Sequence, residues 1–173
     1  MSKSPSVLVA VGSGNHPKLP KQNYANIFTE YNISSLKKTP DSAFYNRVVR
    51  HPAIEGKTEF DIYGFMAGNC QYTYEDSIQQ IVNFFNKHDR IEVAVCDIMR
   101  STDIFKSRMY VQPQATNDIP FFVRKSVMHE INFTDEDLIF QNQLESLRSN
   151  HTIFHIASPL ISTLTKGPNA TER

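Results

Sequence analysis

The sequence predicts an α+β domain with an antiparallel sheet and a further helix near the C-terminus. The first observation is an amphipathic helix over residues 75–87, in which apolar side chains recur at helical spacing. These side chains are Ile78, Ile81, Val82 and Phe85. The second is that three segments in which apolar and polar residues alternate come after this helix. They span residues 91–96, 105–111 and 121–128. Consecutive strands joined by short turns usually pair antiparallel, so these segments predict a meander.

The chain before this helix also contains predicted elements. Residues 7–11 form a short apolar run that predicts a first strand. Gly12 and Gly14 follow it, but a third glycine is missing, and Pro17 and Pro20 stand where a helix would begin. A phosphate-binding loop is therefore not predicted here.

The C-terminal part predicts a helix and one more apolar segment. Residues 134–137 resemble a capping box, and the stripe that follows predicts a helix over 134–150. The apolar run 153–161 predicts either a further strand or a docking segment, and residues 166–173 predict a disordered tail.

Composition excludes several classes of partner. The chain of 173 residues has 18 basic and 18 acidic side chains, so no net field attracts nucleic acid or an anionic membrane. The N-terminus predicts no secretory signal, so we expect a cytoplasmic or nuclear protein in which Cys70 and Cys96 stay reduced.

The segment Gly68-Asn69-Cys70, followed by the helix, a hairpin and a strand ending at Pro113, resembles the second half of a PAS domain. Within that superfamily it is most similar to the flavin-binding LOV (light-oxygen-voltage) branch. The resemblance implies the PAS fold, which has a five-stranded antiparallel sheet with helices on one face and a C-terminal helix. It implies a PAS core over residues 1–133 with an insertion at 32–67, then a C-terminal helix and docking segment over 134–165. It also implies a sensory or regulatory module, not an enzyme, that binds a protein partner or itself through the sheet face or the C-terminal helix.

The resemblance also assigns the positions that would contact a flavin. They are Asn69, Cys70, Gln71, Asp97, Ser107 and Ser126. Gln71 lacks the charge that a flavin phosphate needs, and an ionised Asp97 only accepts hydrogen bonds. Unpaired buried polar groups cost about 1–3 kcal/mol each, so we expect weak or no binding of FMN or FAD. The alternative is a blue-light photoreceptor in which Cys70 forms an adduct with the flavin.

Other chemistry is weakly indicated. His151 and His155 have the spacing of two metal ligands on one helix face, but no cysteine or carboxylate is near them in the sequence, so no metal site is predicted. A third alternative for the whole chain is a small α+β enzyme with a cone-shaped pocket.

Overall fold

The structure is a computed structural model, and it describes most of the chain with several gaps. The described residues are 6–11, 29–34, 41–50, 60–66, 70–102, 108–111, 119–134 and 139–165. Their strands are β1 (Ser6–Val11), β2 (Thr29–Ser34), β3 (Ile62–Met66), β4 (Cys70–Tyr72), β5 (Val93–Thr102), β6 (Arg108–Val111), β7 (Phe121–Arg124) and β8 (Ile153–Thr165). Their helices are α1 (Asp41–Arg50), α2 (Ser77–Lys87), α3 (Ile139–Arg148) and a 3₁₀ helix at Lys125–Glu130.

The eight described strands form one mixed sheet. The order across it is β2-β1-β3-β7-β5-β8-β4, and β6 also pairs with β5. Strand β1 is parallel to β2 and β3, and β5 is parallel to β8. Because β7 is antiparallel to both β3 and β5, those two strands also run in the same direction. Five strands therefore share one direction, so their carboxyl ends meet at one edge of the sheet.

The predicted five-stranded antiparallel sheet, and with it the PAS fold, is wrong. The β5–β6 hairpin is antiparallel as expected, but β7 does not pair with β6. It pairs instead with the first residues of β5 and with β3. Alternation along a strand shows which residues share a face, whereas the direction of a neighbouring strand depends on residues far away in the chain.

Helices cover both faces of the sheet, which corrects the prediction that they lie on one face. Helices α1 and α3 pack on the face that contains Val93 and Val95, whereas α2 packs on the face that contains Ala94 and Cys96. The start of β5 is therefore buried on both sides, as is typical of strands in a helix-covered parallel sheet.

Several elements agree with the sequence prediction. Helix α2 begins two residues after the predicted start and ends at the predicted residue. Helix α3 lies within the predicted helix 134–150, and β8 begins at residue 153 as predicted and extends beyond residue 161. The strand predicted over 121–128 is shorter in the structure: it ends at Arg124, and the 3₁₀ helix begins at Lys125. The longest α-helix described has 11 residues, well short of the roughly 20 apolar residues that cross a bilayer.

Candidate active site at the carboxyl edge of the sheet

The edge where the parallel strands end is the first place to look for a ligand site. In open α/β sheets, ligands bind outside the carboxyl ends of the strands, where the strand order reverses. Strand β1 lies between β2 and β3, so the order reverses at β1 and β3. Val11 and Met66, their last residues, are paired in register. The segments 12–28 and 67–69 that follow these strands, with Gly12, Gly14 and Asn69, lie outside the described residues.

Asp97 lies level with the carboxyl ends of β1 and β3 because of the register of β5, although β5 itself continues to Thr102. Val95 pairs with Phe121, and Phe121 pairs with Phe65, which directly precedes the last residue of β3. Asp97 is two residues further along β5, and it therefore lies just past the level at which β3 ends.

The strand pairing on both sides of β5 is interrupted at Asp97. On one side, β7 pairs with residues 93–95 and β6 with residues 98–101. On the other side, the pairing with β8 jumps from Cys96–Ile156 to Ile98–Ile161. Residues 157–160 of β8 therefore bulge opposite Asp97, and such bulges often lie next to active sites, where they redirect side chains.

The side chain of Asp97 forms a pair with His155. Asp97 is only 1% exposed, and its Oδ1 is hydrogen-bonded to Nε2 of His155, whose side chain is 39% exposed. A carboxylate accepts hydrogen bonds, so Nε2 carries the proton and donates it. This leaves the lone pair on Nδ1, which contacts no hydrogen-bond partner among the described residues. Asp97 thus orients an imidazole that presents an accepting nitrogen near solvent.

Tyr45 holds the neighbouring strand end in place. It projects from α1, is 1% exposed, and packs its ring against Phe65, Phe133 and Phe140. Its hydroxyl donates a hydrogen bond of 2.5 Å to the carbonyl oxygen of Met66. The last peptide of β3 is therefore anchored beside the level of Asp97.

The cysteine next to Asp97 is not a nucleophile. Burial raises the pKa of the Cys96 thiol to about 12, although backbone N–H groups of Leu160 and Ile161 act in the opposite direction. Its side chain lies on the α2 face of the sheet. Because the reactive form of cysteine is the thiolate, a buried thiol with so high a pKa is inert near neutral pH.

A second histidine lies at the opposite edge of the sheet, where the parallel strands begin. His151 contacts Glu130 through Nε2 at 2.6 Å and Glu92 through Nδ1 at 3.3 Å. We call these three side chains the amino-edge cluster. The hydrogen bond to Glu130 raises the pKa of His151 above its usual value, opposed by burial, and the same bond lowers the pKa of Glu130. The cluster links the residues just before β5 and β8 to the end of the 3₁₀ helix.

Four of the six predicted flavin contacts lie in the described residues, and these four do not converge on one place. Cys70 is buried at the start of β4, and the next residue, Gln71, pairs with Ser162 of β8. Ser126 lies at the amino edge, where its hydroxyl donates to Glu92 Oε2 at 2.8 Å. Asp97 lies at the carboxyl edge, and Asn69 and Ser107 lie outside the described residues. The expectation of weak or absent flavin binding stays a prediction.

The His-x-x-x-His spacing does not bring two ligands to one metal. His155 contacts Asp97, whereas His151 contacts Glu130 and Glu92 at the other edge. Within the described ranges, no group of three histidine, cysteine or acidic side chains is arranged to hold a metal ion. Asp97 and His155 offer two donors, fewer than the three or four protein ligands typical of a zinc site.

Both members of the pair are candidate site residues in the sequence, but no sequence feature indicates that they contact each other. Asp97 was assigned to a flavin pocket, and His155 was considered only as a metal ligand with His151. Each is a polar residue inside a strongly apolar strand, which is the available indication that it has a buried partner. Only the parallel pairing of β5 with β8 brings these residues, 58 apart in the chain, together.

Comparison with known proteins gives a consistent fold assignment. No protein-family model and no curated protein matches the sequence. The solved structure of the mannosyltransferase PcManGT from Pyrobaculum calidifontis, in complex with GDP-Man and Mn2+, is similar with a TM-score of 0.57 at 8% identity. The match covers 97% of this chain and 59% of that one, so the chain spans less than two thirds of the mannosyltransferase.

A second solved structure, the inositol-1-phosphate CTP transferase from T. maritima, is also similar. Its TM-score is 0.50 at 10% identity, over 99% of this chain and 94% of that chain. The chain has the fold of these two transferases. At such low identity the likeness establishes the fold and leaves activity to the site.

The fold corrects the functional predictions made from the sequence. The PAS and LOV resemblance is wrong, because the sheet is mixed and the chain is similar in fold to the two transferases. The sensory-module function and the photoreceptor alternative depended on that resemblance, and both are wrong with it. The prediction that the chain is not an enzyme is also wrong on this comparison, because the two proteins with this fold are enzymes.

Proposed function

We propose that this protein transfers a group from a nucleotide-activated donor to a hydroxyl acceptor at the carboxyl edge of its sheet. The observation that carries the proposal is the Asp97–His155 pair, in which a buried carboxylate holds an imidazole that reaches solvent. The pair lies where the ladders on both sides of β5 are interrupted.

The class of donor comes from the two transferases with this fold. One was solved with GDP-Man, and the other is named for its transfer from CTP. Both donors are nucleotides with a phosphate chain, so a nucleoside di- or triphosphate is the shared chemistry. The chain has no net charge, and binding of such an anion must come from local donors at the strand ends and not from a long-range field.

Mn2+ in the mannosyltransferase structure raises the question of a metal here. Asp97 and His155 supply one carboxylate oxygen and one imidazole nitrogen, and the described residues contain no third protein donor beside them. These residues do not by themselves make a cation site.

Calorimetry and product release test the proposal directly. The full chain is titrated with GDP-mannose and with CTP, each in buffer containing Mn2+, and release of GDP or pyrophosphate is then followed. We expect saturable binding of at least one of the two nucleotides, with a stoichiometry near one, and measurable release. If neither nucleotide binds at millimolar concentration and neither product appears, the proposal is wrong.

A pair of matched substitutions locates the binding site. Ala157 and Thr152 are both exposed, but Ala157 lies in the bulge opposite Asp97, whereas Thr152 precedes the start of β8 at the amino edge. Ala157→Trp is expected to weaken nucleotide binding about 10-fold or more, which corresponds to roughly 1.4 kcal/mol. Thr152→Trp should leave it unchanged, and the reverse result would move the site away from the carboxyl edge.

The remaining expectations from the sequence stay predictions. They are a cytoplasmic or nuclear location and association with a protein partner or a second copy, without nucleic acid.

A further inference from the structure

We propose that His155 is the general base of this reaction and that Asp97 is its positioning residue. This inference rests on the proposed function, because it assigns a role within the same site. It follows from the geometry of the pair, in which Nε2 is hydrogen-bonded to Asp97 and Nδ1 has no partner among the described residues.

Exposure decides which member of the pair can touch a substrate. Asp97 is 1% exposed, so its carboxylate does not reach an incoming hydroxyl. His155 is 39% exposed on its side chain, and its Nδ1 has no partner among the described residues. A general base must come within hydrogen-bond reach of the proton it takes, which His155 can do and Asp97 cannot.

The electrostatic surroundings of His155 are simple. The elements packed against β8 are β5, β4, α2 and α3. Their described charged side chains are Asp97 on β5, Lys87 on α2, and Glu145 and Arg148 on α3. Of these, only Asp97 forms an ion pair or hydrogen bond with His155, while Arg148 pairs with Glu145 at 3.7 Å. The neighbouring carboxylate therefore stabilises the imidazolium that forms during proton transfer.

The step balances without an additional reactant. Nδ1 of His155 takes the proton of the acceptor hydroxyl, and the hydroxyl oxygen forms a bond to the reacting atom of the donor. The bond from that atom to its phosphate oxygen breaks, and its electron pair leaves on the nucleoside diphosphate or on pyrophosphate. The imidazolium then releases its proton to solvent, and water replaces the hydroxyl when no acceptor is present.

Turnover in water tests the assignment without knowledge of the natural acceptor. Hydrolysis of GDP-mannose and of CTP is measured in wild type, His155→Gln and His151→Gln. His155→Gln is expected to lose about 10²- to 10⁴-fold in kcat and to keep its nucleotide affinity. His151→Gln, at the opposite edge, should stay within about 3-fold of wild type, because its effect on the free energy of folding is small.

Chemical rescue distinguishes a base from a structural residue. In His155→Gly, added imidazole should restore part of the turnover. In a separate pH profile, kcat of the wild type should fall on acidification, and this fall should be absent in His155→Gln. His151→Gly should gain nothing from imidazole. A structural role for His155 would instead lower stability without any rescue, and this outcome would overturn the assignment.

The tautomer can be observed without any substrate. In the ¹⁵N-labelled protein at pH 8, NMR of the imidazole ring should show the proton of His155 on Nε2 and a lone pair on Nδ1. In Asp97→Asn this preference should be lost, and kcat should fall with it. A proton found on Nδ1 in wild type would refute the proposal.

The two proposals fail in different ways. If neither nucleotide binds or turns over in wild type, the transferase function and the role of His155 are both wrong. If a nucleotide binds and turns over but His155→Gln retains turnover within about 3-fold, the transferase function stands and only the base assignment is wrong.

Discussion

His151 and His155 lie four residues apart around the start of β8, and each contacts carboxylates, but they lie at opposite edges of the sheet. Both ring nitrogens of His151 face a carboxylate oxygen, whereas His155 engages Asp97 through Nε2 alone. A neutral imidazole donates only one hydrogen bond, so the surroundings of His151 favour its charged form. The environment of His155 instead leaves one nitrogen available.

The same contrast holds for the surroundings of the two histidines. The amino edge is closed by further hydrogen bonds: Arg124 at the end of β7 donates to the carbonyl oxygens of Phe85 and Ile91, each at 2.5 Å, and of His88 at 3.1 Å. At the carboxyl edge both ladders beside β5 are interrupted. At the amino edge, hydrogen bonds hold the neighbouring elements together. At the carboxyl edge, the side chain of His155 stays partly exposed.

The largest expected effect on stability is at Arg124. Arg124→Met removes the donors of three carbonyl groups and the contact of the guanidinium with the Phe85 ring, whose centroid lies 5.1 Å away. We expect unfolding to become easier by about 2–4 kcal/mol in urea denaturation, because charge-assisted hydrogen bonds are lost and the carbonyl of Ile91 loses its donor, whereas the carbonyls of Phe85 and His88 keep a backbone N–H. Nucleotide affinity should stay the same, and a stability loss below about 1 kcal/mol would argue against a closed amino edge.

Two tyrosine hydroxyls, one at each end of β3, provide a matched test of the two edges. Tyr45 donates to the carbonyl of Met66 at the carboxyl end, whereas the Tyr63 hydroxyl accepts from the N–H of Phe60 at 3.1 Å near the amino end. Each change to phenylalanine should lower the free energy of unfolding by about 1–2 kcal/mol, the net value of one buried hydrogen bond. Only Tyr45→Phe should also weaken nucleotide binding and turnover. Equal effects of both substitutions on turnover would contradict the functional division between the two edges.

The smallest effect concerns the pH dependence of the amino-edge cluster. The folded-state pKa of His151 is raised above 6.5, so its contribution to stability is complete below pH 6.5 and is lost as pH rises through the raised value. The pKa of Glu130 is lowered below 4.5, so its contribution is complete above pH 4.5 and is lost as pH falls through the lowered value.

His151→Gln removes both contributions. The stability difference from wild type should therefore be largest between pH 4.5 and 6.5, the usual values of the two groups. We expect about 1 kcal/mol there, decreasing toward alkaline pH, from melts across the range. His129→Gln is the control, because this side chain is 76% exposed and lies 3.9 Å from Glu130. A difference that does not vary with pH would show that the charge of His151 contributes nothing.

Much of the local structure was predictable from the sequence. The stripe Ile78, Ile81, Val82 and Phe85 is buried on α2 as the helical spacing indicated. The strand over residues 7–11 also appears, because period and local propensity act within a few residues. The Gly-Asn-Cys segment followed by a helix and a hairpin was misleading, since that order of elements is compatible with more than one sheet topology.

The sequence by itself determined where apolar segments lie, which of their side chains share a face, and that no net charge attracts partners. The tertiary structure decided which strands are neighbours and in which direction they run. Asp97 and His155 are in contact because β8 pairs in parallel with β5 and bulges opposite Asp97. On its other side, β5 pairs with β7 before Asp97 and with β6 after it. The physical reason is that strand pairing is set by contacts over long chain separations, so two polar residues 58 positions apart carry no local indication of their contact.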